Sequence, residues 1–75
     1  MTRYNVDILA AGGSLYAVNT ADPKVALAFL RKHDHDGALV SIRWWNNFYH
    51  KRVEGETVYR VLEEAVEAEV PYEQL

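Results

Sequence analysis

The apolar residues of this chain change their spacing along its length, and that change leaves few folds open to it. In "YNVDILA", Tyr4, Val6, Ile8 and Ala10 alternate with Asn5 and Asp7, and after "GGS" the run "LYAVNT" resumes with β-branched and aromatic side chains. Period-two alternation marks a strand with one buried face, so residues 3 to 20 read as a β-hairpin. A three-residue loop at Gly12, Gly13 and Ser14 puts Tyr16 and Val18 on the face of Ile8 and Val6. A two-residue Gly-Gly loop would turn every partner to the wrong face.

The stretch "ADPKVALAFLRKHD" has a different period. Asp22 is suited to cap a helix that begins at Pro23, where a missing N–H costs nothing, and Ala26, Phe29, Leu30 and His33 fall on one face. Gly37 offers an exit. "ALVSIRWW" returns to alternation, "NN" supplies two residues that tolerate positive φ, and "FYHKRV" comes back as the paired strand, giving strands near 38 to 45 and 48 to 54. In "ETVYRVLEEAVEAEV" the residues Val58, Val61, Leu62, Ala65 and Glu69 or Val70 recur at helical spacing, opposite Arg60, Glu63, Glu64 and Glu67, and Pro71 closes the segment. Arg60 is spaced to pair with Glu56 and Glu64.

Hairpin, helix, hairpin, helix (ββαββα) predicts a two-layer α+β domain, with a four-stranded antiparallel sheet and both helices on one face. Strand order does not follow from this pattern. The 75 residues form one domain, 1–75, and a chain of this length carries a net stability of about 4 to 11 kcal/mol. With no cysteine there are no disulfides or thiolate metal sites, and the core must come from apolar residues. No apolar run approaches the roughly 20 residues that span a bilayer. "MTRYNVDI" has neither the cationic segment nor the apolar block of a secretory signal. A cytoplasmic protein without membrane contact is expected.

Charge is unevenly spread. Residues 1 to 53 hold seven of the eight Lys and Arg against four acids, whereas residues 54 to 75 hold seven Glu against Arg60 alone. Such a surface can steer a basic partner to one side and an acidic one to the other, although a solvated acidic helix also accounts for it.

The stretch "SIRWWNNFYHKR" is the most unusual. If Asn46 and Asn47 form the turn, Trp45 faces Phe48, Trp44 faces Tyr49 and Arg43 faces His50. One side then carries Ala38, Val40, Ile42, Trp44, Tyr49 and Val53, with Lys51 at its margin, and meets the helices. The other carries Ser41, Arg43, Trp45, Phe48, His50 and Arg52. Trp44 is therefore expected in the core and Trp45 outside it. Aromatic residues and arginine are what protein–protein hot spots favour, and Arg43, Trp45, Phe48, His50 and Arg52 are the expected partner-binding residues. The same residue types suit stacking of single-stranded nucleic acid, but the Gly and aromatic signature of sheet-based RNA modules is missing and the chain is acidic. Burial of the patch in a homodimer, or beneath the tail "PYEQL", is the plainer alternative.

"KHDHDG" has donor types for a metal. In a continuous helix, however, His33 and His35 point about 200° apart, so the run reads as a boundary histidine followed by helix-exit residues, and no metal is expected. Catalysis is not expected either. Neither Ser14 nor Ser41 sits in a strand-to-helix elbow, and "GGS" joins two strands rather than leading into a helix. The expectation is a small non-catalytic binding or regulatory protein without cofactor, in the style of the inhibitors and accessory proteins encoded by phages and mobile elements, though no motif carries that likeness. It acts by protein–protein contact through the second hairpin. Glu63, Glu64 and Glu67 on the acidic helix form a second partner-binding stripe, and single-stranded nucleic-acid binding is the alternative.

Overall fold

The computed structural model describes residues 1–68. The elements run β1 (Arg3–Leu9), β2 (Leu15–Thr20), α1 (Pro23–His33), β3 (Leu39–Trp45), β4 (His50–Glu54) and α2 (Thr57–Ala68). This is the ββαββα order anticipated from the spacing. The strands form one antiparallel sheet in the order β2-β1-β3-β4, so the two hairpins join through β1 and β3. The expected Glu69 or Val70 contact, the stop at Pro71 and cover by "PYEQL" lie outside the described residues.

Alternation within the strands decides which side of the sheet the helices occupy. Tyr4, Val6 and Ile8 of β1 and Ile42 of β3 are buried, and they meet Ala26, Leu27 and Leu30 of α1 and Val58 and Leu62 of α2. Both helices therefore lie on one face. Phe29, Trp44, Val53 and Val61 are partly buried against this cluster. Among the described residues no polar or charged residue is fully buried, and no buried side-chain N or O lacks a partner.

Local chemistry fixes the ends of α1. The Asp22 carboxylate accepts from the Lys24 N–H at 2.9 Å, Pro23 opens the helix, and Arg31, Lys32 and His33 complement the dipole of the last turn. Beyond it the chain turns at Gly37, whose φ of +85° favours glycine and where a Cβ would come within 3.2 Å of the Ala11 Cβ. The Ala11 N–H donates to His35 Nε2 at 3.2 Å, while His35 Nδ1 lies 3.0 Å from the His33 carbonyl. That ring ties the first hairpin loop to the α1–β3 turn.

The hairpin loops differ from the expected ones in length. The first spans Ala10 to Ser14, closed by Ala10 N–H donating to the Ser14 carbonyl at 2.7 Å, and it pairs Ile8 with Tyr16 and Val6 with Val18. The faces are as anticipated. In the second, Asn46 accepts from the Phe48 and Tyr49 amides through its own side-chain oxygen, at 2.7 and 3.2 Å, and its N–H donates to the Tyr49 carbonyl at 3.0 Å. No positive φ at asparagine is needed, because the Asn46 side chain does the turning. The loop is thus Asn46 to Tyr49, and Trp45 faces His50, Trp44 faces Lys51 and Arg43 faces Arg52. Slipping by two residues preserves the faces and replaces the expected Trp45–Phe48, Trp44–Tyr49 and Arg43–His50 pairs.

The helices are linked by the Tyr59 hydroxyl, which donates to Asp34 at 2.7 Å. Burial, and then the hydrogen bond and charge of Asp34, push the Tyr59 phenol up to about 12. This lies above its unfolded value near 10, so its stabilisation is fully present below about pH 10 and is lost as pH rises towards about 12. Tyr59→Phe is expected to cost about 1 to 2 kcal/mol at neutral pH. Paired urea titrations should show that difference narrowing across the alkaline window, and a difference that does not change with pH would contradict the assignment.

Candidate functional site

The sheet face turned away from the helices collects the odd-numbered residues of β1, β2 and β3 and the even-numbered residues of β4. Across the order β2-β1-β3-β4 the registers stack them in rows. At one end Leu15, Leu9 and Leu39 lie side by side. Next come Ala17, Asp7, Ser41 and Glu54, then Asn19, Asn5, Arg43 and Arg52, and at the far end Arg3, Trp45 and His50. No described element covers this face. Its leucines are exposed by 41, 68 and 69% at Leu9, Leu15 and Leu39, forming an apolar row on an otherwise polar surface.

Of the expected partner-binding residues, the structure brings Arg43, Trp45, His50 and Arg52 together on this face. Trp45 is half-buried and meets the His50 ring edge-on, with centroids 5.9 Å apart. Arg43, Trp45, Asn46, Tyr49 and His50 bound a shallow cleft of about 410 Å³. Phe48 stands apart from them, on the hairpin tip and 92% exposed. Trp44 is on the helix side as expected, though half-buried rather than enclosed. Tyr49 belongs to the loop, with the Lys51 ammonium 5.2 Å from its ring centroid.

Arg3, and Leu9 and Leu15 of the leucine row, come from the first hairpin. Strand β1 delivers Arg3 directly beside Trp45, where its guanidinium donates to Asn19 Oδ1 at 2.8 and 2.9 Å. The leucine row was also legible in principle, since Leu9, Leu15 and Leu39 all have outward parity. Only strand order makes them neighbours.

The electrostatics are mixed. Arg43 and Arg52 lie directly opposite one another, a like-charge pair that disfavours the sheet, and Arg52 is relieved by an ion pair with Glu54. Asp7 accepts from the Asn5 amide at 2.8 Å. The face thus carries three arginines and two carboxylates. Glu63, Glu64 and Glu67 are exposed on α2, in the other layer, and Glu63 comes within 3.9 Å of Arg31.

The two histidines of "KHDHDG" are engaged separately. His33 stacks on Tyr16, with centroids 4.4 Å apart, and meets Phe29 at 4.6 Å, whereas His35 holds the Ala11 amide. Among the described residues no three His, Cys, Asp or Glu side chains are grouped to hold an ion, and no helix is long and apolar enough to cross a membrane. In comparisons with known proteins, no family model, curated protein or solved structure matches this chain.

Proposed function

We propose that this chain is a small, non-catalytic binding protein that acts by protein–protein contact through the open face of its sheet. The observation that carries this reading is the continuity of that face: a leucine row at one end, and Trp45 among Arg3, Arg43 and Arg52 at the other, with no described element over either. An exposed apolar row, and an aromatic side chain among arginines on the same open face, are what contact sites are built from. A role as regulator or inhibitor in the cytoplasm, without cofactor, fits a surface of this kind, and the exposed Glu63, Glu64 and Glu67 offer a second, acidic contact on the helix layer.

Single-stranded nucleic acid is a second reading. It is favoured by the arrival of Arg3 beside Trp45, which adds a cation from β1 to a stacking platform. Salt separates the two. With Arg3, Arg43 and Arg52, and with or without His50, neutralising phosphates, affinity for an oligonucleotide should fall about 20- to 50-fold between roughly 50 and 200 mM salt. We expect affinity capture from the native host to retain a protein at the higher salt and after nuclease treatment, and Trp45→Ala with Arg43→Glu to lose it. Capture that vanishes with nuclease would move the function to nucleic acid. Retention by the double variant would remove the open face from the contact.

A further inference from the structure

We propose that the open face is covered by a second copy of this chain, stacked face to face about a two-fold axis that runs parallel to the strands between β1 and β3. The proposal rests on the reading of this face as a protein contact surface and names the protein that occupies it. The order of the rows carries it.

A two-fold axis along the strands lays β1 of one copy over β3 of the other and leaves each row facing its own kind of level. Leu9 then meets Leu39 of the second copy, Asp7 meets Ser41, Asn5 meets Arg43 and Arg3 meets Trp45, each pair occurring twice. Further out, β2 over β4 sets Asn19 against Arg52 and Ala17 against Glu54. No charge is laid on a like charge. Each arginine faces an amide or an aromatic ring, and each carboxylate faces a hydroxyl or a methyl group. Arg43 also lies one pleat, about 7 Å along the strand, from Asp7 of the second copy, within reach of a long side chain.

The other way of stacking the faces is less favourable. An axis across the strands would lay Leu9 over Arg3 and Leu39 over Trp45, covering the Arg3 guanidinium with an apolar side chain and parting the leucines, while the Glu54 it sets against Arg52 already pairs with that arginine within its own copy. Packing with strands aligned within about 30° is also what two twisted sheets adopt, and the central β1–β3 pairs lie closest to the axis, where twist displaces them least. Four strands at about 4.8 Å spacing and six or seven residues of about 3.3 Å give a footprint near 400 Å² before side-chain relief. Over both copies that is about 800 Å² before side-chain relief, below the roughly 1,200 Å² of standard interfaces and in the range of weak, transient contacts, so a dimer dissociating in the micromolar range or above is expected.

Charge exchange at the leucine pair tests the geometry. Leu39→Glu places a carboxylate on Leu9 of the second copy, and Leu9→Lys places an ammonium on Leu39, so each variant alone should raise the dimer dissociation constant about a hundredfold, two altered contacts at roughly tenfold each. Mixed together, they should associate again. One interface pair then sets the new ammonium on the new carboxylate and the other stays leucine on leucine, so sedimentation velocity over micromolar to millimolar concentration should show a heterodimer in the mixture alone. Both positions are exposed, and recovery in the mixture itself demonstrates that both variants fold. A wild-type chain that stays monomeric throughout overturns the second copy as occupant, and the wider contact reading then stands or falls on the capture experiment above. A wild-type dimer that neither variant weakens lies on another surface and overturns the proposal, as does a mixture that stays monomeric although each variant is folded by circular dichroism.

Discussion

Leu62→Ala is expected to lower the stability of this domain by about 2 to 5 kcal/mol, measured as the shift in urea midpoint at unchanged slope. Leu62 is fully enclosed and, with Val58, is one of the two buried residues by which α2 holds the sheet. Truncating it loses the transfer energy of its methyl groups and leaves a cavity between a helix and a sheet that cannot easily close over it. For a chain with about 4 to 11 kcal/mol in total, that loss removes roughly a fifth of the stability at the least and all of it at the most. Amide exchange should show the loss first in α2, since Tyr59 to Asp34 is the further side-chain tie described between the helices besides the exposed Arg31–Glu63 pair. A cost below about 1 kcal/mol would mean that α2 is not seated as described.

Trp44→Ala and Trp45→Ala should separate sharply although the residues are adjacent. Trp44 lies on the helix side, against the core, and because it is half-buried its removal should cost about 2 to 4 kcal/mol, somewhat less than for a fully enclosed tryptophan. Trp45 faces the other way, with the His50 ring as its described aromatic neighbour, so its removal should cost about 0.5 to 1.5 kcal/mol and leave the fold intact. Its loss should appear in association instead. Equilibrium melts set beside sedimentation of the same variants give both readings. If Trp45→Ala unfolds the protein and Trp44→Ala does not, the two faces of β3 are exchanged.

The spacing of apolar residues was enough to read the elements, their order and the side of the sheet that carries the helices, because each of these is a local property of chain period. Asp22 before Pro23 was equally legible, a cap being complete within three residues. The second hairpin was not. "NN" is compatible with a two-residue turn and with a loop capped by the first asparagine's side chain, and the choice depends on hydrogen bonds to Phe48 and Tyr49 that composition does not specify. Since the slip was by two, Arg43, Trp45, His50 and Arg52 kept their side while Phe48 left the sheet. Arg3 and the leucine row were missed for a different reason. Their neighbours belong to a strand far away in the chain, and no local pattern states that β1 lies beside β3.

That same adjacency concentrates the non-local cost of building the sheet into a single seam. β2 closes on β1 and β4 on β3 through short loops, events of the microsecond class for hairpins. The β1–β3 ladder instead joins residues roughly 30 to 40 positions apart, from Leu9 with Leu39 to Arg3 with Trp45. The entropy of closing that long loop is met once, and each further rung comes at little extra loop entropy. The chain is thus two locally assembled halves and one zipper between them. Val6, Ile8 and Ile42, the fully enclosed side chains along the zipper, are where the long-range order of the whole sheet is decided.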